Sequence, residues 1–449
     1  MAKLFGTDGI RGESGVFPLD EATVFAIGRS IALRMAGRLG RNARFLTGRD
    51  TRESGGWIER EFSRGASSAG AKCESAGIIT TPGVAFLTAE FGFDLGIVIS
   101  ASHNPFYDNG IKAFLPSGRK IDDELERQVE ADIDSASTLE HSASADFAVD
   151  DLNQGEFRRS YLDHLAGALG TARLDDLKIA VDCANGAASK LAPFLFRELG
   201  ANVVSIHDQP NGRNINEGCG SMHLDQLQRT VLEERADLGV AFDGDADRAL
   251  FVDEKGEIAD GDAILWIMAK SMQDAGALAS GKVIATVMSN IGLEIALRSR
   301  NIELERTAVG DKYVLEELLR SGAEVGGEQS GHIIFPDRSL VGDGMMTALL
   351  VFAATRNAGA PFSEMRAGFQ RYPQILVNVK VNEKRPFDEV EAIQNASAEV
   401  EKILSGNGRL LLRYSGTENL ARVMIEGRDQ EEIEGLAGSL AETIKAALN

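Results

Sequence analysis

The sequence is short of what would mark a secreted, membrane-spanning or nucleic-acid-binding chain. It holds only 3 cysteines, Cys73, Cys183 and Cys219, scattered and without a CxxC pair, which argues against both a disulfide framework and a zinc site. Lys and Arg number 47 against 68 Asp and Glu, for a net charge of -21, and that deficit of cations argues against general nucleic-acid binding. It does not forbid a phosphorylated substrate, but any anion site must then be built locally from arginines and backbone amides. No apolar run approaches the roughly 20 residues needed to cross a bilayer. The opening Met1-Ala2-Lys3-Leu4-Phe5 also lacks the apolar segment of a secretory signal, so the expected location is the cytoplasm. What is there is ordinary globular material: 449 residues, 43% hydrophobic and 26% charged, enough for roughly three or four domains.

The stretch Asp94 to Phe114, DLGIVISASHNPFYDNGIKAF, organises the rest. Leu95 to Ile99 is a short apolar, β-branched run that reads as a buried strand, and Ile111 to Leu115 reads as another. The polar loop between them lifts Ser102 off a strand end, as a nucleophile is placed, and is expected to turn on Pro105 and on Asp108-Asn109-Gly110. The competing reading is a capped turn in which Ser102 bonds only to backbone.

The same plan recurs along the chain. GTDGIRG (Gly6 to Gly12) reads as a compact loop carrying Arg11, followed by a helix from about Asp20 to Ala36 with Val24, Ile27, Ile31 and Met35 on one face. A strand at Phe45-Leu46-Thr47 ends in GRDTRESG and leads to a helix reaching about Gly70. Ser135 to Asp150 has no apolar period and reads as a linker. Leu177 to Val181 is a strand, CANGAAS its loop, and Ala187 to Leu199 a helix. Asp237 to Phe242 echoes Asp94 to Ile99, runs into DGDADR and returns along Ala249 to Val252. Val283 to Val287, MSNIG and Leu293 to Ser299 repeat the unit, and Val325 leads through GGEQSGH to Ile333. From about Phe369 strands and helices alternate in a smaller module. The expected fold is α/β, with three related α/β domains plus a smaller C-terminal α+β domain, arranged around a central cleft, with divisions at 1–150, 151–256, 257–368 and 369–449.

Each module offers one polar loop. DGDADR sets Asp243, Asp245 and Asp247 at alternate positions, able to aim three carboxylates at one hard cation. An EF-hand reading would put Glu254 at the twelfth position, but its sixth position is Arg248 instead of Gly and both flanks read as strands. GGEQSGH offers Glu328, Ser330 and His332 to read sugar-like hydroxyls. RYSGTEN combines Arg413, Ser415, Gly416 and Thr417, with Arg422 nearby, as a phosphate cradle of guanidinium, hydroxyl and amide donors.

GTDGIRG, ISASHNP, DGDADR, GEQSGH and RYSGTEN, in this order and over essentially the whole chain, resemble the signatures of the α-D-phosphohexomutase superfamily. MAKLFGTDGIRG, NINEGCGS (Asn214 to Ser221), GEQSGHIIF and VGDGMMTAL (Val341 to Leu349) are most similar to its bacterial amino-sugar branch. The resemblance implies conversion of glucosamine 6-phosphate to the 1-phosphate through glucosamine 1,6-bisphosphate, or glucose 1,6-bisphosphate as activator, on the way to UDP-N-acetylglucosamine and cell-wall precursors. Ser102 would carry the transferable phosphate, and Asp243, Asp245 and Asp247 would hold Mg²⁺ together with a phosphoserine oxygen. Arg11 and Arg248 would neutralise charge, and either Lys112 or His332 would move the proton. Glu328 and Ser330 would bind the sugar, while Arg413, Ser415, Gly416, Thr417 and Arg422 would hold the phosphate that is not reacting. The implied partner is a phosphosugar, with no nucleic acid or membrane, and relatives are often homodimers. A phosphomannomutase or phosphoglucomutase, a metal-dependent sugar phosphatase and a non-catalytic ion-binding protein are the alternatives.

Overall fold

A computed structural model describes residues 4–6, 8–135, 148–415 and 419–449. Four sheets order the chain. The first runs Phe5–Gly6, Gly9–Glu13, Asp108–Phe114, Leu95–Ile99, Arg44–Arg49, Lys72–Ile78. Leu95–Ile99 lies inside it, parallel to Arg44–Arg49 and antiparallel to Asp108–Phe114, and all five of its residues are buried. A strand covered on both faces needs an unbroken apolar run, which is what LGIVI supplies.

Helix Glu21–Leu39 begins at Asp20, whose side chain accepts the Thr23 N–H at 3.0 Å. Its Val24, Ile27, Ile31 and Met35 join one core with Ile10, Phe45, Ile97, Ile99 and Ile111. Each such aliphatic side chain contributes about 1.5–3 kcal/mol by leaving water.

The second sheet runs Ile258–Ala259, Ala249–Asp253, Leu238–Phe242, Lys178–Asp182, Asn202–Ile206, with Leu238–Phe242 fully buried and antiparallel to Ala249–Asp253. In the third, Lys282–Thr286 is parallel to Gly326–Gly327, which turns back antiparallel into Ile333–Ile334. The recurring device is therefore an antiparallel strand pair closed by a polar loop. Three related α/β domains and a smaller C-terminal α+β domain make up the chain.

By contacts the chain forms two compact units, 1–287 with 305–366 and 288–304 with 367–449. In the second, Gln374–Lys380, Leu420–Glu426 and Arg409–Tyr414 form an antiparallel sheet. Ile433, Leu440 and Ile444 of helix Gln430–Leu448 pack with Val423 and Ile425 of that sheet.

Several expectations need correcting. Arg11 sits on the strand Gly9–Glu13 instead of in a loop, because pairing with Asp108–Phe114 extends the backbone there. For the same reason Asp108-Asn109-Gly110 opens a strand and makes no turn. Gly110 is needed for close approach: a Cβ there would lie 2.6 Å from the Ser100 carbonyl oxygen and 2.8 Å from that of Ile10. The helix expected at Ala187 to Leu199 is a single 3₁₀ turn, Ala187–Ser189, followed by Leu191–Glu198. Most of the expected linker, 136–147, lies outside the described residues, as do Gly416 and Thr417.

Candidate active site

Ser102 follows the buried Leu95–Ile99 strand with a φ of 53°, a left-handed conformation uncommon for a residue with a Cβ. Its N–H donates to the Ser100 hydroxyl at 2.9 Å. Its own hydroxyl donates to Asp243 Oδ2 at 2.5 Å and lies 3.3 Å from His103 Nδ1. The capped-turn reading therefore fails, since the serine hydroxyl addresses a carboxylate from another domain.

That carboxylate ends the buried strand Leu238–Phe242. Ala246, at φ 55°, bends the loop so that oxygens of Asp243, Asp245 and Asp247 lie within 4.8 Å of one another. All three residues are buried. Burial, then Asp247 and Asp245, push the Asp243 carboxyl well above its ordinary range. Burial also works to raise Asp247, but Lys112, His332 and Arg248 outweigh it and hold that carboxyl well below the usual range. Asp245 Oδ1 and Asp247 Oδ1 are buried without a hydrogen-bond partner. Converging carboxylates with unsatisfied oxygens fit a hard, oxygen-seeking dication. Glu254, the twelfth position of the rejected EF-hand, instead accepts the hydroxyl and the N–H of Ser363.

Lys112 leaves the serine loop along the return strand and is itself buried. Its ammonium lies 3.0 Å from Asp245 Oδ2, 3.0 Å from Asp8 and 3.7 Å from Asp247. Burial favours its neutral form, but Asp245, Asp8 and Asp247 overcome that and raise its pKa, so this arrangement keeps it charged. Arg11 pairs with Asp8, and Lys120 bridges Asp8 at 2.7 Å and Asp311 at 2.8 Å. Arg248 Nη1 stands 3.3 Å from His103 Nδ1, and its backbone N–H donates to Asp243 at 3.2 Å. Burial, with Arg248 and Arg11 nearby, lowers the His103 pKa and keeps that ring neutral.

His332 Nε2 accepts the Gly342 N–H at 3.2 Å, which assigns the ring proton to Nδ1, 3.7 Å from Asp247 Oδ2. Burial opposes charging His332, but Asp247 carries its pKa above the ordinary value. Glu328 accepts the Gly310 N–H at 3.1 Å and the Ser330 hydroxyl at 3.4 Å. Asp8, Arg11, Asp247, Arg248, Glu328 and His332 line a cavity of about 450 Å³, within the size range of sites for small ligands.

The first unit thus brings together Ser102, Arg11, Lys112, the three aspartates, Arg248, Glu328, Ser330 and His332. Arg413, Ser415 and Arg422 belong to the second. There Arg413 and Arg422 are direct partners across an antiparallel ladder, where like charges repel. Neither has a carboxylate within salt-bridge distance among the described residues, and Arg422 Nε is buried without a hydrogen-bond partner. An anion between them would relieve both faults. Ser415 is buried, and its N–H donates to the Leu420 carbonyl at 2.8 Å.

Sequence reasoning passed over Asp8 and Lys120, which hold the cation cluster, and Thr81, whose hydroxyl donates to Asp245 at 2.6 Å. Asp8 stands inside a quoted motif and could have been weighed. Thr81 and Lys120 carry no local signal, because only tertiary packing brings them there.

Models of the phosphoglucomutase/phosphomannomutase family match four segments: alpha/beta/alpha domain I at residues 2–140, domain II at 159–256, domain III at 260–372 and the C-terminal domain at 376–443. The phosphoglucosamine mutase of Solibacter usitatus (strain Ellin6076) is 48% identical over 450 residues, covering 99% of this chain and 99% of its own. A Burkholderia thailandensis phosphoglucomutase/phosphomannomutase family protein aligns in structure with a TM-score of 0.80 at 24% identity, covering 100% of this chain and 98% of its own. The N-acetylphosphoglucosamine mutase of Aspergillus fumigatus, 20% identical, aligns with a TM-score of 0.69 in its complex with GlcNAc-6P and magnesium, covering 99% of this chain and 96% of its own. A serine-to-alanine variant of the same fungal enzyme, in complex with glucose 1,6-bisphosphate, aligns with a TM-score of 0.61 at 20% identity over 99% of this chain and 95% of its own.

Proposed function

Because this chain belongs to the phosphoglucomutase/phosphomannomutase family along nearly its whole length, we propose that it interconverts glucosamine 6-phosphate and glucosamine 1-phosphate through a phosphorylated Ser102 and a 1,6-bisphosphate. The observation that carries this reading is the Ser102 hydroxyl 2.5 Å from Asp243, at the head of a buried three-carboxylate cluster. A mutase needs its phosphoryl donor and its charge-neutralising group in contact. The four matched segments support a division into domains at 1–150, 151–256, 257–368 and 369–449.

In this reading Asp243, Asp245 and Asp247, with an oxygen of the phosphorylated Ser102, hold Mg²⁺. When bound, the ion offsets charge on the phosphoryl group in transit. The bond from Ser102 Oγ to phosphorus breaks as a sugar hydroxyl oxygen bonds to the same phosphorus. Arg11 and Arg248 face the transferring oxygens and Glu328 with Ser330 receives the sugar hydroxyls. The proton of the sugar hydroxyl passes to the serine oxygen being released, with either Lys112 or His332 as the group that moves it. Arg413, Ser415, Gly416, Thr417 and Arg422 anchor the phosphate that is not reacting.

The test is direct. Glucosamine 6-phosphate, Mg²⁺ and a trace of glucose 1,6-bisphosphate should yield glucosamine 1-phosphate. Free phosphate alone would make the protein a phosphatase, and no product would leave an ion-binding protein. A polar site discriminates strongly when the wrong ligand leaves buried groups unpaired, so kcat/KM should favour glucosamine phosphate with measurable activity on glucose phosphate. Equal values for the two sugars would remove the case for an amino-sugar substrate.

A further inference from the structure

The segment Asn214 to Ser221, NINEGCGS, belongs to the second domain and takes no part in the chemistry above. Yet Asn216 Nδ2 donates to the backbone carbonyl of Ser102 at 2.9 Å and to that of Asn104 at 2.9 Å. Arg52 Nη2 donates to the same two carbonyls, at 3.1 and 2.5 Å. Two side chains distant in sequence therefore bridge one pair of oxygens. Arg52 is buried against its counter-ion Asp50. Asp50 in turn accepts the Ser100 hydroxyl at 2.5 Å, and Ser100 Oγ accepts the Ser102 N–H. The hydrogen bonds close a ring around Ser102, from its N–H through Ser100, Asp50 and Arg52 back to its carbonyl.

Asn216 completes this ring from outside. Its own N–H donates to the Ala184 carbonyl at 2.9 Å, and at the far end of the segment the Gly220 N–H donates to Asp182 at 3.0 Å. Gly244, in the loop of carboxylates, presses on the same Ser102 carbonyl: a Cβ there would lie 2.5 Å from that oxygen. All of these contacts grip Ser102 by its backbone, while its Oγ faces Asp243.

We propose that Asn216 and Arg52 are the positioning residues of the nucleophile, holding Ser102 in its left-handed conformation so that Oγ keeps one place in both its free and its phosphorylated state. The inference rests on the proposed function. Phosphoryl transfer is sensitive to such placement, since a displacement of about 1 Å costs on the order of a hundredfold in rate. Asn also suits the site because residue 216 itself has φ 58°, a region that Asn and Gly tolerate best.

Asn216→Gly keeps that conformation and removes the two donors, while Arg52→Lys keeps the charge and loses the planar fork. Each variant and the unaltered enzyme would be loaded with glucose 1,6-bisphosphate. Phosphoserine would be quantified by mass spectrometry, and turnover of glucosamine 6-phosphate expressed per phosphorylated serine. The expected result is a loss of roughly tenfold to a hundredfold in kcat per phosphorylated serine, KM changed less than about twofold, and a melting temperature within about 3 °C of the parent. Unchanged kcat per phosphorylated serine in both variants, with only the folded fraction or melting temperature reduced, overturns the proposal and leaves a purely structural contact. If Arg52→Lys does not fold, Asn216→Gly alone decides by the same criterion. An unaltered enzyme that neither takes up phosphate at Ser102 nor turns over the sugar overturns the functional reading itself, which separates that failure from failure of the clamp.

Discussion

Asp343 offers a prediction whose size can be worked out. It caps helix Gly344–Ala358 by accepting the Met346 N–H at 2.9 Å, and its other oxygen accepts the Tyr161 hydroxyl at 2.9 Å. Thr80 donates to Tyr161 at 3.0 Å. Burial pushes the Asp343 carboxyl up to about 6 from 3.8, against the pull of those hydrogen bonds. A folded-state pKa above the unfolded one means that the contribution to stability is fully present below pH 3.8, declines between 3.8 and about 6, and is gone above. About two pKa units correspond to about 3 kcal/mol. Asp343→Asn removes the ionisation and keeps a good cap, and the amide can donate to Tyr161 while Tyr161 donates to Thr80. The unit that holds residue 343 contains about 350 residues, so at about 2.1 cal/mol/K per residue the gain is roughly 4 °C. Calorimetry at pH 8 should show the variant melting about that much higher, with the difference shrinking towards zero near pH 4. A variant no more stable at pH 8, or a difference that ignores pH, would refute the reasoning.

Mass spectrometry of active protein should find phosphate on Ser102, and Ser102→Ala should lose about a thousandfold or more in turnover; near-normal turnover removes the serine from the reaction. Chelation should abolish turnover and added Mg²⁺ restore it, and Asp245→Asn should raise the Mg²⁺ needed for half-maximal rate by about tenfold or more, since one of three charged ligands is lost; activity that survives exhaustive chelation contradicts the metal reading. Arg413→Ala should lower kcat/KM in both directions by roughly ten- to a thousandfold, as expected when a charged phosphate contact of about 1.5–4 kcal/mol is removed, and should raise the bisphosphate needed to sustain turnover. Impairment in one direction only, with no greater demand for bisphosphate, shows that the arginine is not a shared anchor.

The strand-loop-strand units were legible because their signal is local: LGIVI and LGVAF are apolar runs ended by polar residues, and burial on both faces demands such runs. The carboxylate cluster was legible from alternate spacing alone. Arg11 and Asp108-Asn109-Gly110 were misplaced because turn chemistry is read from neighbours in sequence, whereas their conformation is set by pairing between strands almost a hundred residues apart. In the serine and carboxylate loops positive φ falls at Ser102 and Ala246. Neither residue type announces it, since the surrounding structure imposes the strain. Asn216 and Arg52 stood in quoted segments, but no spacing rule joins a side chain to a carbonyl in another domain.

The contact between Ser102 and Asp243 spans 141 positions, and this separation puts a clock on the enzyme's own synthesis. Domains fold largely as they emerge, at about 5–20 residues per second, so on the order of 10 s passes after the serine is made before its carboxylate partner exists. His332 and Glu328 come later still. A nascent or truncated chain can thus carry a folded first domain whose serine has no carboxylate cluster beside it. The placement of Ser102 against the three carboxylates is complete only once the second domain has folded.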